Sequence, residues 1–226
     1  MTDLNQFGKE YLGVVCDNNF TKGNIHIIFN NIKNELLKII PRFNYILGCV
    51  AWVTDFDILD ALANVKSAQL IINKEDFLRP EVRGSSNFKR ILREKYNKIT
   101  NHLDRYQHHY KLTEMSYCTD PSIEGVRCVG VKGDSYSPRM HNKFLVFGEQ
   151  KYSTPQDPYG VFYPHSVWTG SFNLTKMASN SFENVLYIED EVVANMYYRQ
   201  YCEIASLSEP LDWTSEYIQP EWRVGS

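Results

Sequence analysis

The chain has 226 residues and a formal net charge of −3, and 43% of its residues are hydrophobic. That length and composition provide for an ordinary globular core, and the charge excludes a protein that is cationic over its whole surface. The five cysteines include no C-x-x-C pair, which disfavours a disulfide framework. The sequence shows no secretory signal and no run of about 20 apolar residues, so we expect a cytoplasmic protein without a membrane span.

The first part of the chain predicts alternating helices and strands. Apolar residues recur at helical spacing over residues 25–40, and a proline ends that helix. Residues 45–53 are almost all apolar and predict a strand covered on both faces. A helix capped by Thr54 or Asp55 follows, and then a strand at 68–72. This β-α-β order predicts a parallel pair with a right-handed crossover.

Residues 88–110 predict a long helix with one apolar face and one basic face. The segment 79–111 carries nine Lys or Arg against three Asp or Glu. A local basic surface on an acidic chain is typical of contact with a polyanion, although a solvated helix face has the same composition. Lys89, Arg90 and Arg93 are therefore our candidates for binding an anionic substrate.

The remaining chain continues the alternation. It predicts four strands, at residues 126–131, 140–147, 167–171 and 183–188, and a helix at residues 192–207. Residues 149–166 predict a loop, and an irregular tail runs over 208–226. No composition shift marks a boundary, so we expect a single domain over residues 1–226 with its core at about 24–207. The expected fold class is α/β, a mixed and largely parallel β-sheet flanked by helices on both faces.

The tripeptide H-N-K opens the predicted strand at 140–147. Because alternate residues of a strand share a face, we expect His141 and Lys143 to project together. The apolar run F-L-V-F that follows is typical of a core strand, where an idle lysine would be costly. An imidazole beside a fixed cation suits nucleophilic or general-base chemistry at a phosphate ester.

A second polar group, T-G-S-F-N, ends the strand predicted at 167–171. Ser171 and Asn173 offer neutral hydrogen bonds to an oxyanion, and both residue types are equally common in turns and N-caps. Gly170 permits a close approach of the backbone. Glu183 opens the next strand, and beside a catalytic histidine it would orient the imidazole and favour its charged form.

Taken together, H-N-K, G-S-F-N and the following E-N-V-L-Y-I resemble the phospholipase D superfamily, whose signature is H-x-K-x-x-x-x-D followed by G-S-x-N. The likeness is to its compact, nuclease-like branch. The resemblance implies a mixed sheet flanked by helices and an active site that joins two such motifs. This chain has one H-x-K, so the resemblance implies a homodimer with the active site on the twofold axis.

The resemblance also implies a role for each residue. His141 would form a covalent phosphohistidine, and His141 of a second copy would protonate the leaving oxygen and later activate water. Lys143 and Asn173 would bind the non-bridging oxygens with help from Ser171, and Glu183 would orient the imidazole. These donors offset the developing charge without a metal or a cofactor.

Two features depart from the family signature. Gly148 stands at the position of the motif aspartate, with Glu149 one residue later. The loop predicted at 149–166 is also longer than in compact members. Its aromatic residues are suited to base stacking, to a membrane interface, or to packing within the loop itself.

The leading hypothesis is a metal-independent phosphodiesterase, in its simplest form a homodimeric nuclease that cleaves DNA or RNA. One alternative is a phospholipid phosphodiesterase with the same chemistry. Another is a catalytically silent module that binds polyanions or dimerises within a larger assembly. Because the sequence contains no evident element for reading a nucleic-acid sequence, we also expect an additional protein partner or a fused module.

Overall fold

The structure is a computed structural model that describes residues 3–5, 18–75, 78, 87–103, 124–132, 138–152, 154, 160–212 and 215–219. The described strands form one eight-stranded sheet, in the order β1-β2-β8-β7-β6-β3-β4-β5. Their bounds are Phe20–Lys22 (β1), Ile25–Ile28 (β2), Tyr45–Val50 (β3), Ser67–Asn73 (β4), Val126–Val129 (β5), Lys143–Lys151 (β6), Val161–Gly170 (β7) and Val185–Ile188 (β8).

The sheet is mixed, as predicted, but it is not largely parallel. Among the described strands, only β3–β4 and β4–β5 pair in parallel. The five other pairings are antiparallel. The β-α-β unit at the start of the chain is confirmed. The predominance of parallel strands is wrong because β6 runs antiparallel to both β3 and β7, and β8 runs antiparallel to both β7 and β2.

Helices cover both faces of the sheet, as predicted. Their bounds are Ile32–Ile39 (α1), Phe56–Ala63 (α2), Asn87–Tyr96 (α3) and Glu191–Ser206 (α4). Helices α1, α2 and α3 pack on one face with Ile46 and Leu145, whereas α4 packs on the other with Leu47 and Val146. Alternate residues of β3 and β6 thus enter different cores, as expected for strands covered on both faces. Asp55 caps α2 by accepting from the backbone N–H groups of Asp57 and Ile58.

Two predicted helices are wrong at their ends. Residues 25–28 form strand β2, because they pair with both β1 and β8 after a two-residue turn in which Gly23 has φ +61°. The helix predicted over 88–110 ends at Tyr96. Beyond it the Thr100 carbonyl accepts from the N–H of Ala68, so the chain there satisfies the start of β4 instead of continuing the helix. Residues 104–110 lie outside the described part of the chain.

The loop predicted over 149–166 is wrong at both of its ends. Residues 149–151 end β6 and residues 161–166 begin β7, so the two strands form a long hairpin. Gly148 pairs with Pro164 and Phe147 with Ser166, which leaves one extra residue on β7. That irregularity is a β-bulge, where a proline without an N–H is tolerated.

Gly148 allows the strands to meet at the bulge. A Cβ atom at this position would lie 2.2 Å from the Tyr163 carbonyl oxygen and 2.8 Å from Cζ of Phe162. No side chain fits at that distance without moving the backbone of β7. The carboxylate of the family signature is therefore incompatible with this hairpin geometry.

The segment that follows α4 is tied to the sheet by a buried ion pair. Lys74, which has a fully buried side chain, donates from Nζ to Glu209 Oε1 at 2.5 Å and to the Tyr217 carbonyl at 2.6 Å. Backbone bonds between Cys128 and Glu209 run in both directions. The described part of the predicted irregular tail is thus held against β4 and β5. Among the helices that the structure describes, none is both long and apolar enough to cross a membrane.

Candidate active site

His141 and Lys143 lie at one edge of the sheet, where β3 and β7 end and β6 begins. His141 directly precedes β6, and Lys143 opens the strand opposite Val50. The Asn142 carbonyl accepts from the N–H of Ala51 at 2.9 Å, which extends the pairing with the chain after β3. On the other side, Phe144 pairs with Thr169, so the end of β7 lies beside the same two residues.

The predicted juxtaposition of His141 and Lys143 is present in the structure. Lys143 Nζ lies 3.1 Å from His141 Nδ1 and donates to the His141 carbonyl at 2.8 Å. An ammonium group has no lone pair, so Nδ1 is the acceptor and a neutral ring in this arrangement carries its proton on Nε2. The imidazole is exposed, whereas the Lys143 side chain is half-buried.

The pKa values of both groups are lowered. Burial lowers the pKa of His141 below its ordinary value, and the positive charges of Lys143 and Arg139 lower it further. Burial also lowers the pKa of Lys143, while the nearby carboxylate of Glu183 opposes that change. The result favours an uncharged imidazole beside a cation, and an uncharged ring is the charge state that a nucleophilic histidine needs.

An open cleft of about 450 Å³ gives access to these groups. His141, Lys143 and Gly170 line it on the sheet side, together with Asn142, Phe144 and Thr169. Helix α4 forms the opposite wall with Met196, Tyr197 and Gln200. The Tyr197 ring is held edge-on against Phe144, with the ring centres 5.2 Å apart. The sequence did not single out these α4 residues, because their spacing is that of any amphipathic helix.

Ser171 and Glu183 form a network at the ends of β7 and β8. The Ser171 hydroxyl donates to Glu183 Oε2 and accepts from the N–H of Asn184 at 3.0 Å, while the Ser171 N–H donates to the Asn184 carbonyl at 3.0 Å. Gly170 permits this close approach, since a Cβ there would lie 2.1 Å from the Asn184 carbonyl oxygen. Among the described contacts, Glu183 therefore bonds to Ser171 and reaches the histidine–lysine pair through its charge.

Asn173 lies between two buried apolar side chains, Phe172 and Leu174. Its Oδ1 atom is buried and has no hydrogen-bond partner in the part of the chain that the structure describes. Asn173 is not among the described residues that line the cleft. The G-S-F-N segment is anchored by Leu174, whose N–H donates to the Trp52 carbonyl at 3.1 Å.

Trp52 is a site residue that the sequence did not indicate. Its ring meets the His141 ring edge to face, with centres 5.3 Å apart and an angle of 79° between planes. Lys143 Nζ lies 5.8 Å from the centre of the same ring. A tryptophan in an apolar run is an ordinary core residue in sequence terms, so only the tertiary contacts identify it.

The basic candidates on α3 are not brought into this cleft. Arg90 bonds to Glu94 and Asn87 on its own helix, and Arg93 lies 3.7 Å from Asp212. Of the described residues that line the cleft, none belongs to α3, the helix that also carries Lys89. Within the described chain there is also no group of three His, Cys, Asp or Glu side chains arranged to hold a metal ion.

The described aromatic residues of the segment 149–166, Tyr152, Phe162 and Tyr163, lie far from His141. Lys143 opens β6 and Lys151 ends it, so the end of the hairpin is roughly 25–30 Å from the cleft at the usual rise per residue. Phe162 is buried against Tyr198 of α4, with ring centres 4.9 Å apart. Base stacking by this segment beside the phosphate, one option from the sequence, is incompatible with that placement.

Comparisons with known proteins agree with the architecture. No protein-family model matches the chain. An uncharacterized protein of Acanthamoeba polyphaga mimivirus is 29% identical in an alignment 206 residues long, which covers 83% of this chain and 67% of the viral protein. The structure of Nuc from Salmonella typhimurium, a phospholipase D family member, covers 84% of this chain and 98% of its own, at 17% identity and a TM-score of 0.47.

NucT from Helicobacter pylori is similar over 80% of this chain and 94% of its own length, at 15% identity and a TM-score of 0.50. That level of similarity describes the backbone arrangement. The mixed eight-stranded sheet with helices on both faces is therefore a phospholipase D-like fold.

Proposed function

We propose that this protein is a metal-independent phosphodiesterase, a homodimeric nuclease that cleaves DNA or RNA through a covalent phosphohistidine. The observation that carries the proposal is the contact of Lys143 with His141 at the floor of an open cleft, with the pKa of the imidazole lowered. A neutral nucleophile beside a fixed cation matches the two needs of attack on a phosphodiester.

The first step transfers the phosphoryl group to the histidine. The Nε2 lone pair of His141 attacks phosphorus, the P–N bond forms, and the P–O bond to the leaving group breaks. His141 of a second copy, protonated at the start, gives its proton to the leaving oxygen. In the second step that imidazole takes a proton from water, the resulting hydroxide attacks phosphorus, and the P–N bond breaks.

Substrate binding has to change the resting contact between Lys143 and His141. Attack through Nε2 requires the ring proton on Nδ1, which the lysine contact disfavours. A phosphate oxygen competes for the ammonium as a charge-assisted acceptor. Once Lys143 binds the phosphate, Nδ1 is free to carry the proton. The carboxylate of Glu183, close enough to affect the pKa of Lys143, then helps to stabilise the charged ring.

Ser171 and Asn173 complete the proposed oxyanion site. Asn173 has an amide oxygen without a partner among the described residues, so rotation of its side chain breaks no hydrogen bond at that atom. Rotation toward the cleft would bring the amide N–H groups to a non-bridging oxygen. Ser171 acts by fixing Glu183. Lys89, Arg90 and Arg93 remain candidates for contacts with the nucleic acid beyond the scissile phosphate.

The direct test is cleavage of single- and double-stranded DNA and RNA in excess EDTA. We expect cleavage of at least one substrate, together with an acid-labile phosphate adduct on the protein. His141→Ala should remove both. His165→Ala is the matched control, since His165 lies on β7 and bonds to Glu149 outside the cleft lining. Cleavage that requires added metal, or that survives His141→Ala, would contradict the proposal.

A further inference from the structure

We propose that Trp52 is a positioning residue that fixes the orientation of the His141 imidazole for catalysis and holds Lys143 beside it until a phosphate binds. This inference rests on the phosphodiesterase function proposed above. The Trp52 ring contacts both groups: it lies edge to face with the imidazole and within 5.8 Å of the lysine ammonium. Aromatic and cation–π contacts of this kind favour one orientation of the imidazole and keep the ammonium near the ring.

The orientation of the indole is itself fixed. Trp52 Nε1 donates to Glu75 Oε1 at 3.2 Å, and the same oxygen accepts from Asn73 Nδ2 at 2.9 Å. The other amide atom of Asn73 accepts from the N–H of Met140 at 3.2 Å, one residue before His141. Asn73 is buried at the end of β4, so this chain of bonds ties the indole and the histidine segment to the same rigid strand.

Trp52 also links the two motifs through its backbone. Its carbonyl accepts from the N–H of Leu174 at 3.1 Å, which anchors the G-S-F-N segment. In return, the Leu174 carbonyl accepts from the N–H groups of Thr54 and Asp55 at 2.8 and 2.9 Å. One residue therefore contacts H-N-K through its ring and G-S-F-N through its main chain. The contacts with the imidazole and the ammonium distinguish Trp52 from a residue that only fills the core, since a buried indole N–H needs an acceptor in either case.

The indole also covers one side of the exposed imidazole. The charged groups around His141 are Arg139 and Lys143 on its own segment, with Glu183 close to Lys143 and Glu75 behind the indole. Burial is the largest cause of the lowered pKa of His141. Removing the ring should therefore raise that pKa toward its ordinary value, in addition to releasing the rotamer.

The experiment compares four variants by substrate turnover and by NMR titration of His141 without substrate. Trp52→Leu removes the ring, and Glu75→Leu removes its hydrogen-bond acceptor. Two matched variants keep these features: Trp52→Phe keeps an aromatic ring, and Glu75→Gln keeps a hydrogen-bond acceptor. We expect Trp52→Leu to lower kcat by roughly 10- to 100-fold with a small change in KM, as misplacement of reacting groups does. Its His141 pKa should rise, and Trp52→Phe should restore most of both properties.

Glu75→Leu keeps the indole, so it leaves no cavity at position 52. We expect its decrease in log kcat to be about a third to a half of the decrease in Trp52→Leu. It also tests the proposal if Trp52→Leu fails to fold. The positioning role would be overturned if Trp52→Leu folds and has an unchanged kcat and an unchanged His141 titration. If Trp52→Leu does not fold, the same result in folded Glu75→Leu would overturn it. The wild-type protein could also show no cleavage while the His141 pKa still rises in Trp52→Leu and returns in Trp52→Phe. In that case the proposed function fails and the positioning contact stands.

Discussion

At the scale of single residues, His141 lies among positive charges, and in the described part of the chain no carboxylate is among the groups that shift its pKa. Arg139 and Lys143 both lower its pKa, and Glu183 bonds to Ser171. A lowered pKa means that the imidazole is neutral down to a lower pH than an ordinary histidine. The acid limb of the activity profile should therefore lie below the usual range for a histidine nucleophile.

Arg139→Gln tests this electrostatic account without altering the residues proposed for catalysis. Removing the positive charge should raise the pKa of His141 and move the acid limb of kcat/KM to higher pH. The measurements are an NMR titration of His141 and a pH–rate profile. Lys38→Gln on α1 removes an equal charge from a surface pair outside the cleft and should leave both unchanged. A His141 pKa that stays constant in Arg139→Gln would show that burial and Lys143 lower it without a contribution from Arg139.

The sequence predicted the histidine–lysine pair from strand alternation, yet the structure reaches the result differently. His141 lies before β6, and the lysine folds back onto its ring and carbonyl. Trp52 was not predictable, because its importance depends on where the chain after β3 meets the start of β6. Sequence spacing has no information on that contact when the two segments are about 90 residues apart.

At the scale of elements, the β6–β7 hairpin explains both departures from the family signature. The bulge shifts the alternation of β7 by one residue, so inward and outward positions exchange along the strand. Because of this shift and of Pro164, the sequence of the segment lacks the regular alternation of a strand and predicts a loop. The same mixed periodicity hid β2, whose three isoleucines suit helical spacing with the residues that follow.

Restoring the signature at position 148 should be harmful. Both Gly148→Ala and Gly148→Asp place a Cβ against the Tyr163 carbonyl, and we expect each to lower the free energy of unfolding by about 1–3 kcal/mol. The aspartate should cost more, because it also carries a charge into a buried position. Urea unfolding followed by circular dichroism measures both. An aspartate variant as stable as the wild type would show that the hairpin adapts and that the glycine is not required by packing.

At the scale of the whole molecule, the Lys74–Glu209 pair joins the end of β4 to the segment after α4. Lys74→Met would leave Glu209 buried without its cation and should destabilise the protein by about 3–5 kcal/mol. Lys38→Met is the matched control, since Lys38 pairs with Glu35 on the surface and should cost at most about 1 kcal/mol. Equal midpoints for the two variants in urea would contradict this account.

The proposed dimer makes its own prediction for mixed subunits. Wild-type and His141→Ala chains, unfolded and refolded together in equal amounts, should form mixed dimers that each lack one imidazole. With random pairing, about one quarter of the dimers contain two wild-type chains, so about one quarter of the activity should remain. Independent monomers would retain about half of the activity. Light scattering should give a mass of two chains for either pure protein. Half activity, or a mass of one chain, would contradict a shared site.

The length of the hairpin has a consequence for how this fold varies. The chemical end and the turning end of β6 and β7 are separated by the full span of both strands. Residues added or lost at the turning end would alter the outline of the protein while the histidine, the lysine and the indole kept their positions. That end is therefore a suitable place to attach a fluorophore or graft a recognition segment, and a region where related chains are free to differ in length without a change in chemistry.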